Sequence, residues 1–133
     1  MRPPAKTWAV PVPAGEVFSP TQRADLARAV ALTEQQAPGL RVAVFVGDLP
    51  HGRVSAQAEH AAAVDPVNTV LIAVDPAARS LEIVTGEVAR RHLDDRSCAL
   101  AALGMTSAMS LGDVLGGIKA GLRVIGEHAR MPC

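Results

Sequence analysis

Two aliphatic runs constrain this chain more than anything else in it: Arg41-Val42-Ala43-Val44-Phe45-Val46 and Thr69-Val70-Leu71-Ile72-Ala73-Val74. A strand with one wet face alternates apolar and polar residues, whereas a near-continuous apolar run suits a strand covered on both faces. Between the runs, Gly47 to Gly52 reads as a loop and about Ser55 to Ala63 as a short Ala-rich helix, broken at Asp65-Pro66. Strand, helix and strand in that order imply a parallel, right-handed crossover. The next link, Asp75-Pro76-Ala77-Ala78-Arg79, is too short for a second crossover and predicts a hairpin turn. A third strand, Ser80 to Val84, should therefore run antiparallel to the second.

Helices flank this centre. Ser19-Pro20-Thr21-Gln22 carries a capping residue, a proline at the first helical position and the glutamine of a capping box. The helix it starts should run to about Gln36, with Leu26 and Val30 on its buried face and Pro38-Gly39 at its end. After Thr85-Gly86 the pattern is helical: a short helix over about Glu87 to Leu93, a second from near Asp95 to Met109, and a third behind Ser110-Leu111-Gly112-Asp113, an S-x-x-D capping box. Leu115, Ile118, Leu122 and Ile125 give the last helix its apolar stripe. Gly116, Gly117 and Gly121 interrupt that helix at about 1 kcal/mol each relative to Ala, which predicts close backbone packing. Residues 1–14 read as an irregular Pro-rich arm, in which Trp8-Ala9-Val10 could pair at a sheet edge. Residues 15–130 read as one domain. The expected fold class is α/β: a three-layer sandwich with a mixed sheet of about four strands and helices on both faces.

Composition narrows the function. The chain has 133 residues, 13 basic and 13 acidic, so its formal charge is zero. Counterion release at a phosphate backbone needs a basic excess, and base stacking needs aromatic platforms. With one Trp, two Phe and no Tyr, no nucleic-acid partner is expected. No apolar run approaches the roughly 20 residues of a membrane span, and residues 1–12 hold no apolar core of a secretory signal. The two cysteines, Cys98 and Cys133, have no metal-ligand spacing. A cytoplasmic protein is expected, monomeric or weakly homodimeric.

The residues with chemical potential are mostly acidic. Glu87, Asp95 and Asp113 stand at or near helix starts in the last third of the chain, with Asp94 beside them. Acids at helix N-termini satisfy orphan N–H groups and meet the helix dipole, which accounts for each separately. On that account Asp95 caps one helix and Asp113 completes the capping box of the next. Arg91 lies four residues from both Glu87 and Asp95, the spacing of surface ion pairs on a continuous helix. Convergence of these carboxylates would instead suit a hard cation, Ca²⁺ or Mg²⁺, which takes several oxygen ligands. Asp48 follows the first strand, where open α/β sheets bind ligands, or it is simply a turn residue, as is Asp75. Cys98 falls in the first turn of a predicted helix, where the dipole could lower a thiol pKa; the alternative is a buried Cys acting as a small hydrophobe. Arg90-Arg91-His92 reads as a solvated face. His51, His60, His92 and His128 lack zinc-ligand spacing, and there is neither a GxxxxGK[ST] loop nor a GxSxG elbow.

The order of these features is similar to that of a known family. Val17-Phe18-Ser19-Pro20, then Val70-Leu71-Ile72-Ala73-Val74, Asp75, Arg79, Leu81 to Glu87, Leu93-Asp94-Asp95, Gly112-Asp113, Gly116-Gly117-Ile118 and Gly121-Leu122 together resemble the TPM-domain family, most closely a cytoplasmic branch of unknown function from high-GC bacteria. The resemblance spans about residues 15 to 127. It implies a sheet of about four strands between helices, and it implies divalent-metal binding, acid phosphatase activity or a role in repairing membrane proteins. The family's Leu-x-Asp falls on Leu93-Asp94-Asp95 and its later Gly-Asp on Gly112-Asp113. Its GxGLE is here Val84-Thr85-Gly86-Glu87-Val88, and Glu16 is the only acid before the first helix. Two functional readings follow: a non-catalytic interaction or regulatory module with a protein partner, and a metal-assisted phosphomonoesterase in which Glu87, Asp95 and Asp113 hold the ion.

Overall fold

The structure, a computed structural model, describes residues 18–129. Helix α1 (Pro20–Gln36) starts as its sequence dictates. The Ser19 hydroxyl accepts the Gln22 N–H at 3.1 Å, and the Gln22 side chain accepts the Ser19 N–H at 2.8 Å. Two orphan donors of the first turn are thereby satisfied reciprocally. Leu26, Val30 and Thr33 form the buried face of α1.

The aliphatic runs are strands β1 (Arg41–Val46) and β2 (Thr69–Asp75), paired in parallel with Val44 opposite Ile72. Helix α2 (Arg53–Ala61) and a 3-10 turn at Pro66–Asn68 connect them. The helix begins two residues earlier than its Ala content suggests, directly after Gly52 at φ +57°, and no side chain caps it. Strand β3 (Ser80–Thr85) returns antiparallel, with Ile83 opposite Ile72, after a turn in which Arg79 adopts φ +55°. Helices α3 (Ala89–His92), α4 (Asp95–Met109) and α5 (Val114–His128) complete the chain.

Among the described residues the sheet has three strands, in the order β1-β2-β3, where about four were expected. The Trp8-Ala9-Val10 segment lies outside the described residues. Side chains on a strand alternate between faces, and the two faces of this sheet differ. Val42, Val44, Val46, Val70, Ile72, Val74 and Ile83 meet α1, α4 and α5 through Leu26, Val30, Met105, Ile118, Leu122 and Ile125. Among the described residues, Ala43, Phe45, Leu71, Ala73 and Val84 form a smaller buried cluster with Leu49 and Ala56 of the β1–α2 segment. Helices thus cover both faces, three on one side and the short α2 on the other.

Of the three glycines expected to allow close packing, Gly117 and Gly121 are explained by α4, whereas a Cβ at Gly116 would meet the Asp113 cap instead. A Cβ at Gly117 would stand 3.1 Å from the Met105 carbonyl oxygen, and one at Gly121 would meet the Met105 side chain. Small residues let the two helices approach closely, offsetting the helix propensity lost. The connection between them differs from the expected capping box. Ser110 ends α4, its hydroxyl donating to the Ser107 carbonyl at 2.8 Å, and Gly112 reverses the chain at φ +84°. Asp113, rather than Ser110, is the N-cap of α5, its carboxylate accepting the Gly116 N–H at 2.8 Å.

Candidate functional site

The acids singled out in the sequence stand at or just ahead of the starts of α3, α4 and α5. Asp94, not Asp95, is the N-cap of α4, because Asp94 takes extended dihedrals and its Oδ1 accepts the Ser97 N–H at 2.8 Å. That bond from Ser97 holds the Asp94 carboxyl below the usual carboxylate range. Asp95 is exposed in the first turn, where its charge meets the helix dipole. Asp113 is exposed and caps α5. Glu87 is exposed in the turn after β3, ahead of α3. Helix α3 spans only four residues, and Leu93 turns extended behind it. The continuous helix that would have set Arg91 one turn from both Glu87 and Asp95 is therefore missing, and Arg91 pairs with neither.

A divalent cation needs several of these ligands at one point. Among the described residues, no group of three or more His, Cys, Asp or Glu side chains comes together to hold a metal ion. Asp113 is used as the cap of α5, Asp95 stands in the first turn of α4, and Glu87 lies in the turn after β3.

Cys98 also departs from the dipole argument. Partial burial pushes its thiol up to about 11, and the charges of Asp95 and Asp94 push the same way. It is a free cysteine of intermediate exposure, packed against the larger core cluster. In the Arg90-Arg91-His92 run only the two arginines are solvated; His92 is buried, beside Gly39.

Asp48 is exposed at the end of β1. Its counterpart at the end of β2 has the structural task. Asp75 is buried, and its two carboxylate oxygens accept the Leu49 N–H at 2.9 Å and the Ala78 N–H at 3.1 Å. One side chain thus ties the β1–α2 loop to the β2–β3 hairpin. Other polar links span residues too distant for any sequence spacing to reveal. Lys119 of α5 donates to Asp25 of α1 at 2.7 Å, and this bond lowers the Asp25 carboxyl. Thr33 donates to the Leu122 carbonyl at 3.3 Å, and Glu34 accepts the Val42 N–H at 2.8 Å.

Two grooves among the described residues bear on the fold. An open groove of about 580 Å³ runs between α1 and α5, floored by Ala29, Thr33 and Leu122 and edged by Leu32, Lys119 and Arg123. Another, of about 410 Å³, lies between the start of β3 and the second half of α4. Among the described residues no helix is long and apolar enough to cross a membrane.

Layering and site together define a small α/β domain in which Glu34, Asp75, Asp94 and Asp113 accept its own backbone N–H groups. The chain belongs to a family described as a domain of unknown function, DUF5130, whose model matches residues 9–126. In fold it is similar to the N-terminal domain of the cg2496 protein from Corynebacterium glutamicum, a solution NMR structure, with a TM-score of 0.69 at 16% identity over 88% of this chain and 77% of that one. An N-terminal domain from P. gingivalis, also solved by NMR, matches with a TM-score of 0.62 at 15% identity over 88% and 83% of the two chains. No curated protein matches the chain. At these identities the likeness is one of fold, and the TPM resemblance stands as a resemblance.

Proposed function

We propose that this domain is a non-catalytic interaction or regulatory module. The observation that carries the reading is how the carboxylates are used. Asp94 and Asp113 accept backbone N–H groups of their own helices, and Asp75 accepts two from loops it joins. Each such bond orients the carboxylate toward the backbone it caps or ties, which accounts for its presence without any ligand. A thiol raised to about 11 is likewise a poor nucleophile at neutral pH.

The TPM resemblance supplies the competing reading, a metal-assisted phosphomonoesterase, and one experiment separates the two. The chain is melted with and without millimolar Ca²⁺, Mg²⁺, Mn²⁺ and Zn²⁺, and assayed on a generic phosphomonoester. A site specific to the folded state raises the midpoint once metal exceeds its dissociation constant. The expected result is an unchanged midpoint and no turnover. A rise in midpoint that Asp95→Asn abolishes would overturn the module reading.

A further inference from the structure

Strand β3 is an edge strand, since the sheet order among the described residues is β1-β2-β3. In an antiparallel pair, residues alternate between those bonded to the neighbour and those whose N–H and C=O point away. Gly86 donates to Thr69 at 2.9 Å, which fixes the phase of that alternation. With the register Val70–Thr85 and Ile72–Ile83, Val84 and Glu82 face β2, while Leu81, Ile83 and Thr85 face outward. A side-chain bond agrees: Arg53 of α2 reaches the outward Ile83 carbonyl at 3.4 Å while bonded to Glu82 at 3.0 Å. An unpaired edge is a template for another strand.

Beside this edge lies α4, and its outer face is unusual for a surface helix. From Ser97 to Gly112 no residue is charged. Leu103 is 66% exposed and Leu100 43% exposed, with Ala99, Thr106, Ser107 and Ser110 exposed on the same side. A helix facing water ordinarily carries charge there. The groove between α4 and the start of β3 is lined by Leu81, Ala102 and Met109.

We propose that the β3 edge and the outer face of α4 form a two-fold interface with a second copy of this chain. The edge is self-complementary in charge. Arg79 stands four residues before Ile83 and Glu87 four residues after it. Both are exposed, and neither forms an ion pair among the described residues. A two-fold axis at Ile83 pairs β3 antiparallel with its copy, joins Leu81 to Thr85 across the seam, and brings Arg79 of each chain to Glu87 of the other. The same axis sets the two α4 helices antiparallel, covering both uncharged faces. An isologous contact requires this kind of self-complementarity. A six-residue edge alone is small; adding the α4 face brings the contact into the class of weak interfaces, below about 1,200 Å² in total. Arg53 also competes for the Ile83 carbonyl. The dimer is therefore a reversible one, with a dissociation constant on the order of 100 μM. The α1–α5 groove and the module reading play no part in this inference, so either can fail without the other.

Sedimentation equilibrium of the full chain from about 10 μM to 1 mM is the test, a range set to bracket that constant. A monomer–dimer equilibrium is expected. Leu103→Lys and Arg79→Glu should each weaken it at least tenfold with unchanged melting points, and Arg79→Glu combined with Glu87→Arg should restore it. By ¹⁵N NMR, the amides of Leu81, Ile83 and Thr85 should gain exchange protection with concentration. A single monomeric species throughout, a dimer indifferent to Leu103→Lys, or a charge swap that does not rescue would each overturn the proposal. So would full protection of those three amides in the monomer, which would mean that something else covers the edge.

Discussion

The thiol of Cys98 shows how far a single residue depends on neighbours that no local pattern reveals. Its place in the first turn of α4 favours the thiolate through the helix dipole. Burial and two carboxylates, Asp95 and Asp94, oppose it more strongly and leave the thiol protonated up to about pH 11. In a Cys133→Ser background, which makes Cys98 the sole thiol, alkylation by iodoacetamide at pH 8 should run roughly a hundredfold slower than for a free peptide thiol near pKa 8.5. Because the folded pKa is raised, the group's contribution to stability is full below about pH 8.5 and is lost as pH rises toward 11. Melting points of the parent and of Cys98→Ala should accordingly converge over that range; fast alkylation at pH 8 would contradict the account. The sequence offered both a reactive and an inert reading of Cys98. Choosing between them required knowing that α4 packs this side chain against the core.

At the scale of elements, side chains announced where helices begin, but only the start of α1 fell where its capping residue put it. Ser19 and Gln22 form the expected box. The two acidic starts were each displaced, from Asp95 to Asp94 and from Ser110 to Asp113, because the cap is chosen by backbone dihedrals that Leu93 and Gly112 impose. Helix α2 has no capping side chain, and its start was misplaced by two residues for that reason. The caps make a clean prediction. Asp94→Ala and Asp113→Ala should each clearly lower the urea unfolding midpoint, whereas Asp95→Asn and Glu87→Gln should shift it only slightly. The Asp94 carboxyl is held below its ordinary range by the Ser97 N–H. Its stabilisation is therefore present above the ordinary carboxylate pKa and fades as pH falls through the lowered one. In Asp94→Asn the acid limb of the stability curve should be shallower; an Asp95→Asn as damaging as Asp94→Ala would overturn the assignment of the cap.

The whole molecule follows from the two aliphatic runs, since strands buried on both faces require a helical layer on each side. What the runs did not reveal is how unequal those layers are. Three helices with their own apolar stripes serve the face of Val44 and Ile72, and α5 alone buries Gly117, Ile118, Gly121, Leu122 and Ile125. The face of Phe45 and Leu71 rests on α2, a nine-residue helix with Ala56 as its only buried residue. A helix of that length is marginal on its own, and one buried methyl adds little apolar area. Elements with few buried contacts open at a lower free energy than the global transition. Native-state hydrogen exchange should therefore show α2 amides exchanging through a sub-global opening, at least about 2 kcal/mol below the protection of β2 and α5. The substitution Ala56→Gly should widen that gap by destabilising α2 alone, by about 1 kcal/mol. Equal protection of α2 and α5 would show instead that the thin layer is bound into the global unit, with Leu49, Phe45 and the Asp75 tie sufficient to hold it there.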